Sequence, residues 1–277
     1  MGRLDGKVAF ITGAARGQGR SHALRLAQEG ADIIAIDIEG QITSVPYPMS
    51  TPDDMAETVR QIEALDRRII ATKADVRDFD AVKAALDDGV AQLGKLDIVS
   101  ANAGIFSFGT MEELTETEWD ELQDVNLKGV WHTAKAAIPH LRANGGGSMI
   151  LTSSSAGVKA VPNIGHYVAA KHGVIGLMKT LALELANDMI RVNTVNPTSV
   201  DTDMIQNKAT YELFAPDLPE AERTREVIGE RFKAMNALPI PWVEAIDISN
   251  AVLFLASNEA RYITGVVFPV DAGQLVK

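Results

Sequence analysis

Short apolar runs alternate with stretches of helical spacing along almost the whole chain, and this alternation is the strongest constraint on its fold. Apolar runs at residues 8–12, 32–37, 69–74, 96–100, 148–153, 190–195 and 266–270 read as strands. Between them, residues 17–29, 53–66, 78–92, 116–142, 163–186 and 243–257 carry helical periodicity. Thr51-Pro52 and Thr115-Glu116-Thr117-Glu118 are helix-start signals, and Gly30 is a stop signal. Strands joined through helices must run parallel, and near-continuous apolar strands must be covered on both faces. The pattern therefore predicts an α/β fold of the Rossmann type, a doubly wound seven-stranded parallel sheet with helices on both sides. No Pro/Gly/Ser-rich linker divides the halves, so residues 1–277 read as one domain.

Composition narrows the function classes. The 26 Lys and Arg against 37 Asp and Glu give a net charge of −11, which disfavours nucleic acid and anionic membrane surfaces as partners. Cysteine is absent, which removes disulfides, thiolate catalysis and thiolate metal sites. The five histidines lack metal-ligand spacing, so no metal is expected. Neither a membrane-length apolar run nor a signal-peptide core is present, and a cytoplasmic location is expected.

The first chemical signal is Thr12-Gly13-Ala14-Ala15-Arg16-Gly17-Gln18-Gly19, which joins the first strand to the first helix. Glycines there let the backbone turn tightly and approach a pyrophosphate held on the helix N-terminus. Asp37 closes the second strand 18 residues after Gly19, where a carboxylate can hold ribose hydroxyls. Its charge would repel the 2′-phosphate of NADP, so NAD is the expected cofactor. Arg16 pulls the other way, but it reads as lying over the adenine side or paired on the surface.

Asn102-Ala103-Gly104 follows the fourth strand, and Tyr167-x-x-x-Lys171 lies in the long helix near residue 170. Taken in order with the glycine loop, these motifs resemble the short-chain dehydrogenase/reductase superfamily across essentially the whole chain. The resemblance implies that Asp75-Val76 contact adenine and that Asn126 (in Val125-Asn126-Leu127), Ser154, Tyr167 and Lys171 form the catalytic set. Ser154 stands 13 residues before Tyr167, with Gly157 setting the register. It also implies that Tyr167 moves the alcohol proton, that Ser154 holds the substrate oxygen, and that Asn126 holds a water linking Lys171 to solvent. After the sixth strand the family's Pro-Gly is replaced by Asn196-Pro197-Thr198, while Val200 and Thr202 keep the positions expected to meet the nicotinamide carboxamide.

Physics supports the Tyr–Lys assignment. Residues four apart share a helix face. A tyrosine of ordinary pKa ~10 needs about 4 kcal/mol of stabilisation of its anion to work near neutrality. One positive charge at ~4.5 Å and an effective dielectric of ~20 supplies that amount. Lys171, helped by an oxidised nicotinamide ring, is expected to suffice.

Two irregular segments remain. Residues 198–243 hold one charged helix and apolar residues including Met204, Ile205, Tyr211, Leu213, Phe214, Met235, Leu238 and Trp242, read as a substrate lid together with Ile105, Phe106 and Phe108. Residues 38–52 form an insertion with Pro46, Pro48 and Pro52, longer than a usual strand–helix connection. That insertion, with the stretches around residues 13–22 and 195–204, resembles the mycofactocin-associated, carveol dehydrogenase-like subgroup. The subgroup implies NAD held without exchange, mycofactocin as a possible electron acceptor, and an apolar secondary alcohol or its ketone as substrate. The helix at 163–186 is apolar nearly all round, which predicts a helix-bundle interface, and the family resemblance implies a homotetramer. Two rivals are weighed. A dinucleotide-sensing protein without turnover would be expected to lose Tyr167 or Lys171. A 3-oxoacyl carrier-protein reductase would be expected to use NADP and to present a basic cleft.

Overall fold

A computed structural model describes residues 2–277. The strands are β1 (Val8–Thr12), β2 (Asp32–Asp37), β3 (Ile69–Lys73), β4 (Ile98–Ala101), β5 (Gly147–Thr152), β6 (Ile190–Pro197) and β7 (Val267–Val270). They form one parallel sheet in the order β3-β2-β1-β4-β5-β6-β7. The helices are α1 (Gly17–Gln28), α2 (Pro52–Glu63), α3 (Phe79–Leu93), α4 (Glu116–Gln123), α5 (Gly129–Ala143), α6 (Gly165–Glu184), α7 (Lys208–Phe214), α8 (Arg225–Met235) and α9 (Ala245–Ala256).

Successive strand residues point to opposite faces. Phe10, Ile34, Val99 and Leu151 pack under α3, α5 and α6, whereas Ile11, Ile33, Ile98 and Ile150 pack with residues of α1 and α9. The chain winds outward from β1 to β3, then crosses back to β4 beside β1. That reversal opens a crevice beyond the carboxyl ends of β1 and β4, the place where such sheets bind ligands. Thr12 spans it: its hydroxyl accepts from the amides of Asn102 (3.1 Å) and Ala103 (3.0 Å).

Most element boundaries fall within a few residues of expectation, and three differences are informative. The expected helix 116–142 is interrupted by a π-helical turn at Asp124–Lys128. The sixth strand runs on to Pro197, carrying the chain directly into the crevice. The irregular stretch after it holds two helices, α7 and α8, where one was expected, and they share a small core of Ala215, Ile228 and Phe232. Its charges do lie on the outer face, but they are laced into pairs such as Arg225–Asp201 and Arg231–Asp217. Among the described residues no helix is long and apolar enough to cross a membrane.

His22 locks α1 onto α9. It is fully buried, and its Nδ1 meets Ser249 Oγ at 2.8 Å. Burial lowers its pKa from 6.5 to about 3, so the folded chain refuses a proton that the unfolded chain accepts. Stability should therefore fall as pH drops from about 6.5 toward 3, and His166, also lowered by burial, acts in the same direction. Urea unfolding should show a loss of about 1.4 kcal/mol per pH unit from His22 between pH ~6 and ~5, above the carboxylate range. His22→Gln should flatten that slope; an unchanged slope contradicts the assignment.

Candidate active site

The glycine loop is built by close backbone approach. Gly13 and Gly17 adopt φ of +68° and +55°, in the left-handed region that glycine tolerates. A Cβ on Gly13 would sit 2.9 Å from Ala103 Cα, and one on Gly19 would sit 1.9 Å from the Gly13 oxygen. Arg16 provides no side-chain cap for α1, so the first amides of that helix are left for a ligand. Asn102 Nδ2 braces the loop by donating to Thr12 O at 3.1 Å.

Gly13, Arg16, Gly17, Gln18, Gly19, Asp37, Asp75, Val76, Asn102, Ala103, Gly104 and Thr202 line one cleft. Tyr167, Lys171, Ser154, Pro197 and Val200 line an adjoining cavity of about 460 Å³. Gln18, Asn102, Gly104 and Thr202 belong to both, so the two form one continuous trough. The residues fit a dinucleotide: the glycines leave room for a close-lying pyrophosphate, and Gln18 Oε1 is a buried acceptor without a partner.

Asp37 is 8% exposed, and its oxygens accept from Ala15 N (2.9 Å) and from the Ser50 hydroxyl. No cation pairs with it among the described residues. Arg16 is engaged elsewhere: Nη1 meets Asp203 Oδ2 at 3.0 Å, and Nη2 donates to the Pro48 carbonyl. It thus pairs on the surface, across the mouth of the trough. Asp75 pairs with Arg77, and the Val76 carbonyl contacts His132 Nδ1 at 2.9 Å. Thr198, the departure from the family pattern, keeps the loop tied to the sheet through its amide on Val270 O at 3.3 Å.

The Tyr–Lys pair sits at the start of α6, which approaches the end of β5 closely. A Cβ on Gly157 would lie 2.3 Å from Ser153 Oγ and 2.8 Å from Lys171 O. Ser153 Oγ donates to the Lys171 carbonyl at 2.8 Å, and Lys171 Nζ donates to Thr152 O at 2.9 Å. Lys171 is 3% exposed, with Nζ 5.5 Å from the Tyr167 ring centre. Burial lowers its pKa to about 8 and pushes the Tyr167 phenol up, whereas a hydrogen bond with Ser154 pulls the phenol down. In the free protein, then, burial opposes charge on both members of the pair.

Asn126 is fully buried in the π-turn and lines neither part of the trough; its Oδ1 accepts from the Ile105 amide and its Nδ2 donates to the Ile105 carbonyl. It fixes the backbone beside Gly104, where a Cβ would lie 3.4 Å from Asn126 Oδ1 and 3.7 Å from Lys171 Nζ.

Several contributors escaped the sequence reading. Tyr47, Met49 and Ser50 of the insertion line the trough. So do Lys159, ahead of α6, and Gln274 and Lys277 near the chain's end, with Lys159 and Lys277 donating to the carbonyls of Gln274 and Asn236 respectively. Of the expected lid, Met204, Ile205, Phe214 and Met235 reach the cavity, with Ile105 and Phe106 beside them. Trp242 packs behind, edge-on to Phe232, and Leu238 is exposed. His166 borders Tyr167 but turns inward, its Nε2 meeting Ser107 Oγ at 2.9 Å. Among the described residues no cluster of His, Asp or Glu could hold a metal.

The short chain dehydrogenase family model matches residues 7–212. The (−)-trans-carveol dehydrogenase of Rhodococcus erythropolis is 53% identical over 279 residues, covering 100% of both chains. The crystal structure of carveol dehydrogenase from Mycobacterium avium in complex with NAD superposes with a TM-score of 0.98 at 58% identity, covering 100% of both chains. A short chain dehydrogenase from Mycobacterium paratuberculosis bound to NAD gives 0.91 at 45% identity, again over 100% of both chains. The chain belongs to the short-chain dehydrogenase family.

The glycine loop offers a direct test. Gly19→Ala must push apart two backbone segments at a cost of roughly 1–3 kcal/mol, so dinucleotide affinity should fall about tenfold or more in a binding titration. Unchanged affinity would mean that the loop is not the pyrophosphate cradle.

Proposed function

We propose that this protein is an NAD-dependent dehydrogenase of apolar secondary alcohols, a cyclic terpenoid such as carveol being the model substrate. The observation that carries the reading is the single trough in which a dinucleotide cradle opens onto Tyr167, Ser154 and Lys171 under apolar walls. Bound NAD would supply the hydride acceptor and a positive charge. Tyr167 Oη takes the alcohol proton during oxidation and returns it during reduction. Ser154 Oγ holds the substrate oxygen, and Lys171 favours the phenolate. Asn126 keeps the Gly104–Ile105 backbone in place beside them. Asp37 holds the adenosine ribose, with Asp75 and Val76 beside the adenine and Pro197, Val200 and Thr202 near the carboxamide.

Among the described residues no cation neutralises Asp37, and Arg16 is committed to Asp203, which supports NAD over NADP. This weighs against the carrier-protein reductase, and retention of both Tyr167 and Lys171 weighs against a sensor without turnover. The absence of cysteine and the acidic charge support a cytoplasmic enzyme without nucleic-acid or membrane partners. Tyr167→Phe keeps the ring but deletes the proton carrier. Turnover should fall by ~10²–10⁴-fold with dinucleotide affinity nearly unchanged; retention of more than about a tenth of the activity would overturn the role.

The insertion supports slow cofactor exchange. Gln41 Nε2 donates to the carbonyls of Ile42, Val45 and Tyr47, folding the loop on itself. Ser44 N is tied to Glu121 at 3.1 Å, Pro48 to Arg16 and Ser50 to Asp37. With these three tethers, NAD should survive purification, and electrons should leave through an external acceptor such as mycofactocin. Replacing residues 41–50 by a short Gly/Ser link should yield protein that releases NAD and saturates with added NAD. An intact protein that purifies empty contradicts this reading.

Assembly as a homotetramer is part of the proposal, because Trp131 on α5 and Leu183 on α6 leave large apolar surface exposed (43% and 82%). Sedimentation at micromolar concentration should find no monomer; a monomer would refute it.

A further inference from the structure

The insertion reaches beyond the dinucleotide cleft into the catalytic centre through one side chain. Tyr47 is only 5% exposed although it sits on a loop, and Pro46 and Pro48 stiffen the backbone on either side of it. The Phe106 amide donates to its phenol oxygen at 3.1 Å. The Phe106 ring stands edge-on to Tyr167, with centres 5.2 Å apart and planes at 88°. The neighbouring Ile105 amide and carbonyl are both held by Asn126. The short segment that walls the catalytic tyrosine is thus clamped twice: from the π-turn by Asn126, and from the insertion by Tyr47.

We propose that Tyr47 is a positioning residue: by holding the Phe106 amide it sets the Phe106 ring against Tyr167, so that seating of the insertion orders the catalytic phenol. This deepens the dehydrogenase reading and rests on it for the role of Tyr167. The physical argument is one of satisfaction. Phe106 is 5% exposed, so its amide loses its acceptor if the phenol oxygen is removed, and a buried amide without a partner drives the segment to shift. The edge-on contact is lost or tilted with it. Nothing else in the loop needs the hydroxyl: Gln41 folds the loop, while Ser50 and Pro48 anchor it to Asp37 and Arg16. Tyr47 also lines the dinucleotide cleft, which places the link where occupancy of that cleft can act on it.

The test compares Tyr47→Phe, Phe106→Leu and the double variant with the intact protein. Each single change should lower kcat roughly 3- to 10-fold at saturating NAD, and Tyr47→Phe, which leaves the cavity wall in place, should leave KM for the alcohol little altered. The pH limb of alcohol oxidation should move to higher pH, because a less ordered phenol is harder to ionise. The double variant should be no worse than the poorer single one, as expected for residues acting through one contact. An independent readout is the ring-carbon resonance of Tyr167 in protein labelled with ¹³C-tyrosine. The chain has only four tyrosines, and Tyr167→Phe assigns the signal. Tyr47→Phe should shift or broaden it. If the resonance and the pH limb stay in place, the proposal is overturned, even if NAD leaves faster, since Tyr47 would then only seal the cleft. If the intact protein oxidises no alcohol, the dehydrogenase reading fails on its own, and the resonance still decides whether Tyr47 orders Tyr167.

Discussion

A buried ammonium group with no carboxylate to pair with it among the described residues is the constraint around which this site is built. Lys171 is held by the carbonyl of Thr152 alone at a depth that lowers its pKa to about 8. Keeping a charge there is unfavourable unless something nearby becomes negative. Tyr167 is the group that can, and burial resists its ionisation as well. The pair is therefore poised: each opposes charging alone, and each favours charging of the other. The geometry follows from packing, because only a glycine at 157 lets α6 lie close enough to β5 for Thr152 to meet Lys171.

The dinucleotide trough and the catalytic pair share walls because the sheet reverses its winding between β1 and β4. Thr12, Asn102, Ala103 and Gly104 stitch the two strand ends together, and Gly104 is shared between the cradle and the surroundings of Lys171. The insertion closes the other side. By tying Asp37, Arg16, Glu121 and Phe106 to one folded loop, it links the adenosine end of the trough to the catalytic end. A loop so fastened opens only by breaking several contacts together, which is the physical basis expected for slow cofactor exchange.

Much of this was readable in the sequence, for identifiable reasons. The inner strands are buried on both faces and leave uninterrupted apolar runs. Even the half-buried edge strands β3 and β7 keep enough apolar residues that all seven appeared near their observed places. The glycines, Asp37, Tyr167 and Lys171 were legible because backbone approach and helix periodicity impose spacing. The two bonds of Asn126 to Ile105 were not legible, because a π-turn has no spacing signature and the bonds arise only once the helix packs on the β4 loop. Tyr47 and Ser50 looked like ordinary loop residues, because their partners Phe106 and Asp37 are distant in sequence or follow an irregular path. The same holds for Lys159 and Gln274, which meet across more than a hundred residues, and for Lys277, which reaches back to Asn236.

The central claim is that the charge on Lys171 tunes Tyr167 as the proton carrier. The most direct test is the pH dependence of single-turnover hydride transfer from an apolar secondary alcohol, measured for the intact enzyme and for Lys171→Met. The rate should rise with pH as Tyr167 ionises, and loss of the positive charge should move that rise upward by about 2–3 pH units. A profile that keeps its midpoint while only its amplitude falls would contradict the account and reduce Lys171 to a structural or cofactor-binding residue.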